Sequence, residues 1–458
     1  MSKPRKLTIG RRMVRHSRRF LNYPWAGGVI LLICVVAAML LANLPHTKAI
    51  YHSILTTPLT FTVGEGGTLF SFSLDVERFI NDGLMVVFFF VVGLEIKREM
   101  IAGQLASLRQ AILPVVAAVG GMLFPALIYT LFNIGSDYAG GWGIPTATDI
   151  AFAVAILSVM GRMVPLSLKI FLTALAIVDD LGAILVIALF YGGEINWACL
   201  LLIAIIIGIL YLFRREGIYK VRFYMIPAIL VWYLFYNSGI HATMAGVIMA
   251  MIIPSQPQIS KRTFLRRVKY GVEEFKLRDR KGVEVLSNHE QYHALCRVRH
   301  AANDAISMSQ RLEHMLSPYI SYLIIPIFAL ANAGVEIQSP EELDIFSTTM
   351  GWGIFFGLVV GKPLGIFTAS WLAVRLKVAV MPSGADWKML LAVACLGGIG
   401  FTMSIFIDTL AFMNDPFVLD SGKIAVLLAS TTASIVGIVL ITLFSQYKGK
   451  IRPTPVKA

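Results

Sequence analysis

Four stretches of the chain, Gly28–Leu44, Ala111–Leu131, Trp197–Phe213 and Ile424–Leu443, are almost wholly apolar. Each approaches or exceeds the roughly 18 to 20 residues that a helix needs to cross a bilayer. A water-soluble core does not need such blocks. Over 458 residues the hydrophobic fraction is 57% against 15% charged, far from the globular average. The pattern predicts an all-α membrane protein of about twelve spans, near 27–44, 80–100, 111–133, 145–161, 168–191, 197–213, 222–236, 240–254, 318–335, 351–375, 388–411 and 423–445. A basic segment 1–26 precedes the membrane domain 27–445, and a basic tail 446–458 follows it. The basic start resembles a secretory signal, but the apolar run behind it is long enough to span and is read as the first helix.

The net charge of +13 sits in the loops, where membrane topology demands it, and forms no aromatic-interleaved patch for nucleic acid. Lys97 and Arg98, Arg162 and Lys169, Arg214 and Arg215, the loop 255–317, and Lys448 with Lys450 alternate with loops 135–143 and 192–196, which lack Lys and Arg. Lys48, Arg78 and Lys423 are exceptions on the outer side. The alternation predicts that both termini are cytoplasmic. The four cysteines are scattered and form no disulfide framework.

Two loops carry structure of their own. Residues 59–74 alternate apolar and polar around Gly64-Glu65-Gly66-Gly67, which reads as an external β-hairpin. Two strands alone are marginal in water, so a second subunit is the expected partner surface. In the cytoplasmic loop 255–317, His289, His293, Cys296 and His300 would share one helix face. Zinc uses such spacing, although a polar face on a cytoplasmic helix is the ordinary reading.

Ionisable residues inside spans are costly and mark function. Asp149 follows Pro145-Thr146-Ala147-Thr148 in span four, Asp179 and Asp180 lie mid-span in five, and Lys362 lies mid-span in ten. Asp82 and Glu95 bracket span two, and His241 begins span eight. Adjacent helical residues point about 100° apart, so Asp179 and Asp180 can face different partners, and Lys362 lowers the cost of burying one of them. Burial penalises a carboxylate's charged state, so protons and Na⁺ compete for the same oxygens. Spans four and eleven are interrupted at Gly143–Asp149 and Gly397–Gly400; paired breaks point to a transporter site. No nucleotide loop, catalytic triad or cofactor motif is present, so the chain reads as a transporter rather than an enzyme. A passive cation channel would need a repeated filter, and an organic-anion carrier would need an added recognition site.

The ordered runs Phe89–Glu99, Pro145–Ile150, Val178–Gly182, His241–Thr243, Ala331–Val335, Gly361–Gly365 and Gly400–Ser404 resemble the NhaA family of bacterial Na⁺/H⁺ antiporters. The resemblance implies twelve helices, an inverted repeat relating spans three to five and ten to twelve, crossing of the broken spans, and electrogenic exchange of Na⁺ or Li⁺ for protons in the inner membrane, with no cofactor. It implies that Asp179 and Asp180 carry the ions, that Thr148 and Asp149 line the site, and that Lys362 partners Asp179. Glu95, Glu99, Glu313 and His314 match the family's pH-sensing region, His241 falls in a matching run, and Asp82 matches a carboxylate near the ion pathway. The hairpin matches a homodimer contact. Ser317 replaces a histidine often found there, the 255–317 loop is long, and Asp408 is an additional carboxylate near the outer end of span eleven.

Overall fold

Helices dominate because the apolar runs must satisfy their own backbone once out of water. A computed structural model describes residues 23, 25–63, 70–279, 288–337, 348–413 and 415–451. In chain order the helices are α1 (Ala26–Asn43), α2 (Lys48–Leu55), α3 (Met85–Ala102), α4 (Leu108–Phe132), α5 (Ile150–Val159), α6 (Leu166–Phe190), α7 (Trp197–Arg215), α8 (Arg222–Tyr236), α9 (Met244–Ile252), α10 (Lys261–Leu277), α11 (His289–Ala305), α12 (Met308–Tyr319), α13 (Ile325–Asn332), α14 (Thr349–Phe356), α15 (Lys362–Arg375), α16 (Trp387–Gly397), α17 (Phe401–Ala411) and α18 (Pro416–Ile451).

Among the described residues, nine continuous helical stretches are long and apolar enough to span a membrane, and the bent pair α16–α17 makes ten. The other two expected spans correspond to shorter helices, α8 of 15 residues and α9 of 9. Side chains along α7 such as Leu201, Ile205, Ile209 and Leu212 are exposed. That much uncovered apolar surface calls for lipid rather than water as its solvent.

The chain divides into two compact units, one of residues 1–88, 99–193 and 319–458, the other of 89–98 and 194–318. In the first, three π-helical segments, Phe79–Leu84, Ile320–Ile324 and Gly357–Gly361, lead into α3, α13 and α15. The last delivers Lys362. Gly365 brings α15 backbone to backbone against Gly120 of α4, where a Cβ would collide with the Gly120 carbonyl; small residues permit such approach between membrane helices.

Residues 58–63 and 70–75 form an antiparallel pair, β1 and β2, in register from Pro58↔Asp75 to Val63↔Phe70. The expected glycine turn lies outside the described residues. In the second unit the 255–317 loop contains α10 and α11 packed side by side, capped by Ser260 and Asn288 and linked by Arg267–Asp304 at 3.1 Å and Arg278–Glu290 at 3.2 Å. It also ends earlier than its sequence reading. The helix expected from 318 begins at Met308, so Glu313 and His314 lie on it. Likewise α18 starts at Pro416, seven residues before the span read from 423, which puts Asp420, an outer-loop charge by its sequence, on the helix with Lys423.

Candidate functional site

The site is built where two helices stop. The turn Asp137–Thr146 ends before α5, leaving Ala147–Asp149 unwound, and α16 ends at Gly397, with α17 resuming at Phe401 after a 45° bend. Unwound backbone at this depth must find partners within the protein, and each interruption supplies the other's. Asp149 N–H donates to Ile399 O at 2.7 Å, Thr148 Oγ1 lies 2.8 Å from Gly397 O, and Ser404 Oγ donates to Ile144 O at 2.7 Å. Phe401 enters α17 with φ +27°, an unusual conformation for a side-chain-bearing residue. Its N–H is held by Ser430 Oγ at 3.0 Å.

Charge completes the arrangement. Asp149 is the N-cap of α5, accepting the Phe152 N–H at 3.1 Å, and its other oxygen accepts the hydroxyl and the N–H of Thr402 at 2.6 and 3.3 Å. One carboxylate thus serves two helix starts, where negative charge is favoured. At the opposite sign, Lys362 Nζ donates to Thr146 O at the carbonyl end of the Asp137–Thr146 turn and lies 2.6 Å from Asp179 Oδ2. Both partners of this ion pair are fully buried.

Thr148 Oγ1 is also 2.6 Å from Asp179 Oδ2. A hydroxyl has one proton, so Thr148 donates either to Asp179 or to Gly397 O. A proton arriving on Asp179 can be donated to Thr148, which then turns to Gly397. The hydroxyl therefore stands between the carboxylate and the break in α16–α17, within bonding distance of both. Asp180, 2% exposed, is the next residue of α6 and points about 100° away around the helix. Thr148 and Lys362 meet at Asp179 Oδ2, and Asp149 is joined to them along the chain as the residue after Thr148. Sequence reading quoted Thr402 and Ser404 only as part of a motif and missed Ser430. Their signal, a hydroxyl beside a glycine-rich break, is common in membrane helices.

The remaining expected residues lie elsewhere. Asp82 is in the π segment Phe79–Leu84, beside the buried reciprocal amide pair of Asn81 and Asn332 at 3.1 and 2.8 Å. Glu99 accepts the Gln104 N–H at 2.8 Å. In the second unit Arg98 pairs with Glu313 and lies 3.6 Å from Glu95, while His314 is exposed. His241 Nδ1 lies 2.8 Å from Thr243 Oγ1. Lys97, read from sequence only as a loop charge, is buried and donates to Ala250, Met251 and Ile253 carbonyls at the C-terminal end of α9. His289, His293, Cys296 and His300 all lie on α11, yet among the described residues no group of three or more His, Cys, Asp or Glu is disposed to hold a metal ion.

The family model described as Na⁺/H⁺ antiporter 1 matches residues 18–441. Relatives named Na⁺/H⁺ antiporter NhaA include those of Oleidesulfovibrio alaskensis, 43% identical over 92% of each chain, and Wolinella succinogenes, 42% identical over 95% of this chain and 93% of the relative. That of Escherichia coli O157:H7 is 40% identical over 96% of this chain and 100% of its own. A family match that runs from the first span to the last, together with this identity, makes the chain a member of the Na⁺/H⁺ antiporter 1 family.

Proposed function

We propose that the chain exports Na⁺ or Li⁺ in exchange for a larger number of protons across the bacterial inner membrane, electrogenically and under pH control. The observation that carries this reading is the fully buried Lys362–Asp179 pair set beside Thr148 at two interrupted helices. Asp179 and Asp180 take the ions. Their oxygens suit a hard cation, and burial makes each prefer company, whether a proton, Na⁺ or the Lys362 ammonium, to a bare charge. A proton and Na⁺ then exclude each other, and release on opposite sides gives exchange without covalent chemistry. Thr148 transmits Asp179's state to the helix break, and Asp149 holds both helix starts while the site changes occupant.

The finer architecture belongs to the same reading: twelve helices with α8 and α9 as the short spans, an inverted repeat, crossing of the two broken spans, cytoplasmic termini and a homodimer through the hairpin. Glu95, Glu99, Glu313 and His314 serve pH response on the cytoplasmic side, and Asp82 and His241 border the ion path. The test is Na⁺-driven collapse of a pH gradient in everted vesicles. Asp179→Asn and Asp180→Asn each abolish it; normal exchange in both variants rejects the assignment.

A further inference from the structure

Asp408 takes no part in the exchange centre, and no hydrogen bond satisfies its carboxylate. It begins the last turn of α17, is fully buried, and has no hydrogen-bond partner on either carboxylate oxygen. Gly422 of α18 lies directly against it, where a Cβ would collide with both oxygens. Four groups share its electrostatic field: Asp420 and Lys423 on α18, Tyr129 on α4, and Tyr191 just past α6.

None of the possible donors is in hydrogen-bond contact with it. Lys423 Nζ lies 3.6 Å from Asp420 Oδ1, Tyr129 donates to Tyr138 O at 2.7 Å, and Tyr191 donates to Gly140 O at 2.9 Å. A bare carboxylate in such a place is expensive, and the negative end of α17 makes it more so. A neutral carboxylic acid answers only part of the need, because its second oxygen still lacks a donor. A small hard cation satisfies both oxygens at once.

The geometry points to Asp408 as a second monovalent-cation site, taking Na⁺ or Li⁺ in competition with protons. It sits on the helix that carries Thr402, six residues on, about 9 Å along its axis. Ser404, one turn before Asp408 on the same face, bonds to Ile144 in the broken span. The site is therefore in series with the exchange centre, toward the outer end of the helix, and gives the transported ion a stop between that centre and the outer side. This placement rests on the antiport reading, but the site itself does not.

Equilibrium binding of ²²Na⁺ to the purified full-length protein at alkaline pH separates the two. Na⁺ that remains bound in Asp180→Asn and is lost in Asp408→Asn is the expected result. Asp408→Leu, which fills the space without charge, loses it too, and the melting temperature of both variants confirms that they are folded. Lys423→Gln removes the neighbouring positive charge and should tighten this Na⁺ by about threefold or more, a change that a merely structural carboxylate would not produce. Wild-type Na⁺ binding in both Asp408 variants overturns the proposal. So does a shifted pH profile with unchanged Na⁺ affinity, which would give Asp408 a proton alone. Failure of the antiport reading looks different: Asp180→Asn then leaves all Na⁺ binding intact.

Discussion

Replacing Lys362 by Met keeps most of the side chain's volume and removes its charge. At 2.6 Å the Lys362–Asp179 attraction is about 6 kcal/mol with an effective dielectric constant near 20. Desolvating both groups consumes several kcal/mol each, so the intact pair contributes little net stability. Removing one partner is different. Asp179 is then left charged and fully buried, with Thr148 as its remaining donor, and Thr146 O loses its ammonium donor; such a loss costs about 3 to 5 kcal/mol. The loss is greatest at alkaline pH, where Asp179 must stay charged, and shrinks in acid, where a proton can stand in for the lysine. Melting temperature in detergent across pH measures it, with Lys362→Met, Asp179→Asn and the double variant as a cycle. The double variant should be more stable than Lys362→Met at alkaline pH. Equal stability of Lys362→Met and wild type at every pH would refute the reasoning.

Asp149→Ala should lose a helix cap and the bonds to Thr402, about 3 kcal/mol in all, with Asp149→Asn milder; a reversed order in thermal unfolding contradicts the dual-cap role. Asn81→Leu alone strands the buried Asn332 amide and should cost about 1 to 3 kcal/mol, while Asn81→Leu with Asn332→Leu costs less; additive losses in unfolding experiments would show that the amides do not act as a pair. Deleting residues 59–74 should convert dimers to monomers in size-exclusion chromatography while leaving exchange in vesicles intact, and persisting dimers would remove the hairpin from the interface.

The charged centre was legible because the bilayer makes charge conspicuous. Asp149, Asp179, Asp180 and Lys362 stand out in apolar runs by cost alone, and the breaks at Pro145 and Gly397–Gly400 stand out by composition. What charge and composition do not encode is pairing. That Thr148 faces both Asp179 and Gly397, or that Asp149 reaches Thr402 some 250 residues on, is a long-range fact with no local pattern. Boundaries failed where charge was mistaken for exposure: Asp420 and Lys423 ride the first turns of α18, with Pro416 at its start as helices permit. Lys97 failed in the same way, since a lysine at a membrane edge looks like topology and here holds the carbonyl end of α9. The caps Ser260 and Asn288 were readable and would have divided the 255–317 loop into its two helices.

The π segment Gly357–Gly361 gives the first of these predictions a geometric counterpart. A π turn holds one residue more than the α-helix around it, so it takes up that residue without turning α15 away from α14. Delete a single residue there, Val359 for example, and the segment can close as an ordinary α turn with Lys362 still facing Asp179. The same deletion inside α14 itself would turn everything before it by about 100°. The extra residue is slack held in the helix just before its lysine, and a chain one residue shorter there keeps the pair that Lys362→Met destroys.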